Sequence, residues 1–246
     1  MEFKSVNKTL ENSFKNNWER EALSNYQGST LKYKEVAERM EYLHIAFSQC
    51  GLKRGDKVAL CARNQANWAV CFLATMTYGA VPVPILHEFK AENIHYLVNH
   101  SEAKVLFVDE VIWEGLSESE MPDLEVIVQI NNLKFIYARN RFDEEIRGSL
   151  QKTFDKLYPE GFKPENLKYY EDKADELALI NYTSGTSGFS KGVMIPYRAL
   201  WCNINFARTV AEPQMTCESE IVAMLPSAHM YGMMFEFLFE MTIGAH

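Results

Sequence analysis

Residues 182–192 read Tyr-Thr-Ser-Gly-Thr-Ser-Gly-Phe-Ser-Lys-Gly and lie between two apolar runs. The run at 177–182 is typical of a buried strand and the short run at 193–195 of a second strand, so the polar segment is predicted to be the turn that joins them. Glycines let several backbone N–H groups point into one concavity, hydroxyls add neutral donors, and a lysine adds positive charge. The stretch therefore predicts a loop that binds a phosphate-containing anion.

The same stretch meets only half of the Walker pattern G-x-x-x-x-G-K-[ST]. Gly185 and Lys191 have the required separation, but Ser190 stands where the pattern has glycine, and Gly192 replaces the hydroxyl residue that binds magnesium. The residues after Lys191 predict a strand, so no helix N-terminus is expected under the phosphates. These differences argue against a Walker-type NTPase. On composition alone, a flexible surface loop is the other interpretation.

Composition places limits on the function classes. A chain of 246 residues with 47% hydrophobic content can bury a substantial core, in one large or two small domains. The net charge of −8, without a dense Lys/Arg cluster, gives no general attraction for nucleic acid or anionic lipid. The five cysteines show no C-x-x-C spacing, which predicts a reduced, cytoplasmic protein without a zinc site. The polar N-terminal segment lacks the apolar core of a signal peptide and is expected to be a short ordered lead-in.

One uncharged segment, 68–86, is nearly long enough to span a membrane. Gly79, Pro82 and Pro84 interrupt it, and an extended backbone would be unsatisfied in lipid. We therefore predict no transmembrane segment, but a buried helix followed by a buried strand.

Apolar periodicity predicts alternating strands and helices through the chain. Helices are predicted at 33–49, at 67–78, around 94–98, around 146–154, at 197–211 and at 231–241, and strands at 57–61, 80–83, 105–108, 126–128 and 221–225. This alternation favours an α/β fold with a mainly parallel, layered sheet and helices on both faces.

Three histidines lie in or next to predicted helices, and only one of them is a candidate site residue. His229 lies between the predicted strand at 221–225 and the following helix, where α/β sheets place ligands, although a lone histidine is more often structural. His95 and His100 are five residues apart, so they point to different helix faces, and Glu92 is not placed to complete a metal site with both. No role is assigned to these two, and no metal ligands are predicted.

Residues 183–192 resemble the signature loop [ST]-[SG]-G-[ST]-[ST]-G-x-P-K-G of the adenylate-forming superfamily, the AMP-binding enzymes that include acyl-CoA synthetases. Ser187 replaces the commoner threonine and keeps the hydroxyl, whereas Ser190 replaces proline and restores backbone freedom before Lys191. The resemblance implies that the β- and γ-phosphates of ATP are bound by Thr183, Ser184, Gly185, Thr186, Ser187, Gly188 and Lys191.

Other segments extend this resemblance. Residues 31–36, 55–58 and 78–84 are similar in order and spacing to the early core of AMP-binding enzymes, and 225–232 resembles the motif L-P-[LM]-[FAS]-H-x-[FYGA]-G. His229 takes the position that borders the acyl pocket and the thioester-forming half of the cycle. The similarity runs from about residue 31 to the C-terminus and is weakest at 110–175, a possible sub-boundary. It implies that residues 1–246 are the N-terminal part of the large AMP-binding domain, in the N-terminal portion of the adenylate-forming enzyme fold.

The implied activity is ATP-dependent activation of a carboxylic acid to acyl-AMP and then acyl-CoA, with ATP, Mg²⁺ and coenzyme A. A long-chain fatty acid is the expected substrate because the region around His229 is apolar. The candidate catalytic residues are Lys191 and His229. The later adenine, ribose and magnesium motifs and the C-terminal lid domain with its catalytic lysine do not occur, so this chain alone is expected to be inactive. An exposed apolar edge would then favour aggregation or a homodimer.

Three alternatives remain open at this point. A phosphotransferase would use the same loop to transfer the γ-phosphate. A non-catalytic nucleotide-binding module would retain the loop without catalysis. Within the superfamily, amino-acid- or aryl-acid-activating enzymes and luciferases share the loop.

Overall fold

The computed structural model describes residues 2–138, 144–183, 190–211 and 214–246, without the side chains of 144–147. The strands are β1 (Glu21–Ser24), β2 (Thr30–Lys32), β3 (Lys57–Cys61), β4 (Val81–Ile85), β5 (Ala103–Val108), β6 (Val126–Gln129), β7 (Lys134–Ala138), β8 (Leu177–Thr183) and β9 (Lys191–Pro196). The helices are α1 (Val6–Asn16), α2 (Tyr33–Gln49), α3 (Ala66–Tyr78), α4 (Ala91–His100), α5 (Glu110–Trp113), α6 (Glu144–Leu157), α7 (Tyr197–Ala211), α8 (Met230–Met233) and α9 (Phe239–Ile243). A π-helical turn, Met234–Leu238, connects α8 to α9.

A five-stranded sheet forms the centre, in the order β4-β3-β5-β6-β7. The pairs β3–β4, β3–β5 and β5–β6 are parallel, and only β7 is antiparallel to its neighbour. The predicted α/β class with a mainly parallel sheet is therefore confirmed. Sequence periodicity did not indicate β7, whose residues are only partly buried.

Helices cover the two faces of this sheet because alternate strand residues point to opposite sides. Val58 and Leu60 share one apolar cluster with α2 and α3, and the rings of Phe47 and Phe107 meet there at 6.1 Å. Ala59 and Cys61 belong to the opposite cluster, which includes the buried residues of α4. This layered arrangement matches the prediction.

The uncharged segment 68–86 is a core element. Residues Ala66–Tyr78 form α3, which ends at Gly79 with φ 90°, a left-handed conformation that favours glycine. Every residue of β4 is buried. Among the described residues, none of the helices is long and apolar enough to cross a membrane.

The N-terminal segment is ordered and forms a regular helix, α1. The carboxylate of Asp172 accepts hydrogen bonds from the Ser5 hydroxyl at 2.6 Å and from the backbone N–H of Asn7 at 2.9 Å and Val6 at 3.1 Å. Ser5 in turn caps α1 by accepting from the N–H of Lys8. These contacts fix α1 against the segment that precedes β8.

The predicted strand at 221–225 is wrong. A strand needs a hydrogen-bonded neighbour, and here only Ile221 pairs with backbone, its N–H donating to the carbonyl of His246 at 2.7 Å. Val222 and Met224 are 78% and 81% exposed. The apolar composition that indicated a strand belongs to an irregular, surface-exposed segment of the described chain.

Candidate functional site

The strands β8 and β9 form an antiparallel hairpin, as the sequence predicts. Thr183, the last residue of β8, pairs with Lys191, the first residue of β9, and both are exposed. The predicted phosphate ligands Ser184, Gly185, Thr186, Ser187 and Gly188 lie outside the described residues. The structure therefore places the two ends of the predicted loop directly opposite each other.

The hairpin is fixed through β8, which is buried, whereas much of β9 is exposed. Ala178 and Leu179 join the cluster under α2 and α3, and Ile180 joins the cluster on the α4 side. Gly192 of β9 lies under the ring of Tyr182, where a Cβ atom would come within 3.2 Å of Cε1. A side chain at position 192 would need the side chains of Ile180 and Tyr182 to shift by a few tenths of an ångström, so glycine lets the strand pack closely here.

Lys191 is the described cation nearest in sequence to the loop. It makes no ion pair with any of the residues that the structure describes. A long flexible ammonium without a protein counter-charge suits an anionic ligand. Lys191 is exposed and pairs through its backbone with the exposed Thr183.

His229 caps the helix that starts at α8. Its backbone is extended, with φ −90° and ψ 133°, and its Nδ1 atom accepts the N–H of Tyr231 at 3.3 Å. Because Nδ1 accepts, the proton of the neutral ring is assigned to Nε2, which makes Nε2–H available as a donor. The side chain is exposed. His229 therefore combines a structural cap with an outward-facing hydrogen-bond donor.

One buried hydrogen bond joins the hairpin to the His229 segment. The Asn181 side-chain amide in β8 donates to the carbonyl of Ala228 at 3.0 Å, and both residues are buried. Asn181 is two residues before Thr183, and Ala228 is the residue before His229. No motif indicates Asn181, although a polar residue inside the apolar run 177–182 is a usable signal.

The turn before His229 is held from two further directions. The Asn64 amide donates to the carbonyl of Leu225 at 2.7 Å, and its oxygen accepts from the N–H of Ser227 at 2.8 Å. The Glu236 carboxylate accepts from the N–H of Leu225 at 2.9 Å. Gly232 packs against this turn, where an added Cβ would lie 3.0 Å from the Pro226 carbonyl oxygen. The segment is thus fixed although it contains no strand.

A cavity of about 440 Å³ lies beside this turn, between the antiparallel strand pair β1–β2, the start of α3 and α9. Its walls include the carboxyl residues Glu220, Glu236 and Glu240, and none of the described lysines or arginines lines it. A carboxylate ligand would be repelled there. Neither Lys191 nor His229 lines this cavity, so we do not place an acid substrate in it.

Metal ligands are not grouped in the described part of the chain. No cluster of three or more His, Cys, Asp or Glu residues there has the geometry to hold a metal ion. The donors that the structure shows at the hairpin, a hydroxyl and an ammonium, suit phosphate oxygens rather than a cation.

Comparison with known proteins identifies the family. The model of a family described as AMP-binding enzyme matches residues 10–246. Human long-chain-fatty-acid–CoA ligase 1 is 27% identical over 210 residues, which cover 82% of this chain and 30% of the relative. Long chain acyl-CoA synthetase 1 of Arabidopsis thaliana is 28% identical over 242 residues, which cover 95% of this chain and 36% of the relative. The chain thus spans roughly a third of the length of these curated relatives.

A solved structure shows the same fold. The crystal structure of a long-chain-fatty-acid-CoA ligase from Archaeoglobus fulgidus aligns with a TM-score of 0.76 at 20% identity. The alignment covers 100% of this chain and 47% of that one. At 20% identity this similarity shows a shared fold only, and it does not show a shared reaction.

Proposed function

Because the chain belongs to the family of AMP-binding enzymes, we propose that it takes part in the ATP-dependent activation of a carboxylic acid to an acyl-CoA. The curated relatives above are long-chain fatty acid–CoA ligases, which supports a long-chain fatty acid as the substrate. Neither a phosphotransferase nor a non-catalytic nucleotide-binding module is supported by these comparisons. Under this proposal residues 1–246 are the N-terminal part of the large AMP-binding domain of a cytoplasmic enzyme.

The main structural support for this proposal is the hydrogen bond from the Asn181 side chain to the Ala228 carbonyl. Acyl activation requires that the nucleotide phosphates and the acid be bound next to each other. The bond links the strand that ends at Thr183 to the segment that presents His229. The end of β8 that would bind phosphate and the segment that carries the His229 imidazole are therefore linked to each other. A reaction between two bound substrates needs such a link.

The proposed reaction has two steps. The acid carboxylate attacks the α-phosphate of ATP, forming acyl-AMP and releasing pyrophosphate; the thiol of coenzyme A then displaces AMP and forms the thioester. In the first step negative charge builds on the departing pyrophosphate. The Lys191 ammonium, with the Thr183 hydroxyl and the loop residues 184–188, would stabilise that charge.

His229 would act on the acid and thiol side. Its Nε2–H points away from the helix that its Nδ1 caps, so it can donate to a carboxylate oxygen without uncapping the helix. Mg²⁺, when bound with ATP, neutralises phosphate charge. No described residue cluster supplies its ligands, so we assign it none in this chain.

The first test is a titration of the purified 246-residue chain with magnesium pyrophosphate, followed by NMR. We expect saturable shifts at Lys191 and Gly192, and a loss of roughly tenfold or more in affinity for Lys191→Ala, because the only described cation at the site is removed. Lys191→Arg should retain part of the affinity. Lys173→Ala, which changes an exposed lysine elsewhere, is the matched control.

In the full-length enzyme, Lys191→Ala should slow acid-dependent ATP–pyrophosphate exchange much more than it raises the KM for the acid. The charge that Lys191 stabilises develops mainly in the transition state. An unchanged exchange rate at saturating acid would remove Lys191 from the mechanism. Equal binding of pyrophosphate by wild type and Lys191→Ala would remove it from the phosphate site.

A further inference from the structure

The side chain of Tyr182 connects the hairpin to α4, a helix that covers one face of the central sheet. Tyr182 pairs with Gly192 across the hairpin, and its ring lies over that glycine, with Cε1 and Cζ 3.2 and 3.3 Å from the position of an added Cβ. Its hydroxyl lies 2.7 Å from Nδ1 of His100, the last residue of α4. The two rings meet edge to face, with centroids 5.7 Å apart at 74°.

The chemistry of this contact favours a fixed ring. Tyr182 is 7% exposed, and burial raises its pKa to about 12, so the hydroxyl stays protonated at neutral pH. A buried phenol that loses its hydrogen-bond partner pays a desolvation cost. Among the described residues, His100 lies within hydrogen-bond distance of this hydroxyl through its Nδ1 atom. The hydrogen bond therefore restrains the ring, and the ring restrains the backbone of Gly192.

Gly192 directly follows Lys191, and Thr183 directly follows Tyr182. A shift of the ring would move both ends of the anion-binding loop at once. Ile180 and Tyr182 also pack in the same apolar cluster as the buried residues of α4. The contact thus spans 82 positions of sequence and joins the end of the hairpin to a helix that covers one face of the central sheet.

We propose that His100 is a positioning residue for the anion site: by fixing the Tyr182 ring over Gly192, it holds Thr183 and Lys191 in register for a bound polyphosphate. The identity of the anion rests on the proposed function. The restraint on the hairpin rests on the contacts alone.

The first arm of the test measures amide hydrogen exchange by NMR in the purified chain without ligand. His100→Ala should make the amides of residues 191–194 exchange roughly three- to tenfold faster, because the partly buried hydrogen bond between Tyr182 and the exposed His100 side chain is lost. His100→Asn should restore exchange close to wild type, since its amide oxygen can take the place of Nδ1. His95→Ala is the matched control on the same helix, because the His95 ring accepts from the N–H of Ser117 instead.

The second arm titrates the same variants with magnesium pyrophosphate. His100→Ala should weaken binding several-fold, with His100→Asn and His95→Ala near wild type. Unchanged exchange at 191–194 in His100→Ala, an equal effect of His95→Ala, or no rescue by asparagine would each overturn the positioning role. If wild type binds no pyrophosphate, the proposed function fails, and the exchange arm still decides whether His100 holds the hairpin.

Discussion

At the scale of single residues, the two candidate catalytic side chains are placed in different ways. Lys191 is exposed at the start of β9 and has no counter-charge among the described residues, whereas His229 is fixed by its own helix through Nδ1. Sequence motifs could indicate both residues, because each lies in a short local pattern. They could not indicate Asn181 or His100, whose roles depend on contacts with residues 47 and 82 positions away.

Substitutions of His229 can separate capping from chemistry. Asparagine is a good N-cap and can replace Nδ1 as acceptor, but it has no donor at the position of Nε2. In the full-length enzyme we expect His229→Asn and His229→Ala to impair the acid-dependent or thioester-forming step alike, with ATP affinity little changed. Only His229→Ala should also lose stability, by about 0.5–2 kcal/mol. Separate assays of acyl-AMP formation and CoA transfer, with thermal unfolding, would measure this. Full activity of His229→Asn would limit His229 to capping.

Asn181 is expected to act through His229. Asn181→Ala leaves the buried Ala228 carbonyl without its partner, at a cost of about 1–3 kcal/mol in stability. If the bond positions His229, the losses in acyl-AMP formation or CoA transfer caused by Asn181→Ala and His229→Ala should be non-additive in a double-mutant cycle. Strictly additive losses would show that the two residues act independently.

At the scale of elements, helices were easier to predict than strands. The 3.6-residue spacing of Val36, Met40 and Leu43 is a local signal, and α2 has the predicted bounds. The segment 221–225 has the composition of a strand, but a strand forms only beside another strand, and composition does not report the neighbour. The same limit explains why β7, which is paired only with β6, was not predicted.

The last helix contains a buried carboxyl that should make stability depend on pH. Glu240 in α9 is 2% exposed, and neither carboxylate oxygen bonds another described residue. Burial, with a smaller contribution from the Glu236 carboxylate, raises its pKa from 4.5 to about 7. Between pH 4.5 and 7 the unfolded chain has lost this proton and the folded chain retains it, so stability falls as pH rises and reaches a plateau above 7.

Glu240→Gln should remove this dependence. The stability gained over wild type should be small below pH 4.5 and grow to about 3 kcal/mol above pH 7, following roughly 1.36 kcal/mol per pKa unit. Urea unfolding at pH 5 and pH 8 would measure the difference, with exposed Glu114→Gln as control. An equal effect of Glu240→Gln at both pH values would show that Glu240 is ionised in the folded state throughout.

At the scale of the whole molecule, the sequence predicted the fold class because strand and helix patterns alternate along the chain. The order of strands in the sheet was not predictable in this way. It depends on which apolar faces pack together, as in the two clusters on either side of β3. The junction between the hairpin and the His229 segment likewise arises only when the chain is folded.

Under the proposed function, Thr183 and Lys191 bind the polyphosphate end of ATP, and the sequence shows no match to the family's adenine, ribose or catalytic-lysine motifs. Holding both substrates in the reactive geometry can lower the activation free energy by roughly 7–11 kcal/mol in favourable models. A chain that binds only one end of ATP loses most of this effect. The 246-residue chain alone is therefore expected to form no acyl-AMP, although the full-length enzyme should.

The decisive measurement is the product analysis of ATP turnover with long-chain fatty acids, in which hydroxylamine traps the acyl adenylate. We predict that the full-length enzyme yields AMP, pyrophosphate and acyl hydroxamate in equal amounts, and that the 246-residue chain yields none of them. Formation of ADP by the full-length enzyme, or acyl hydroxamate from the 246-residue chain free of full-length enzyme, would contradict the account.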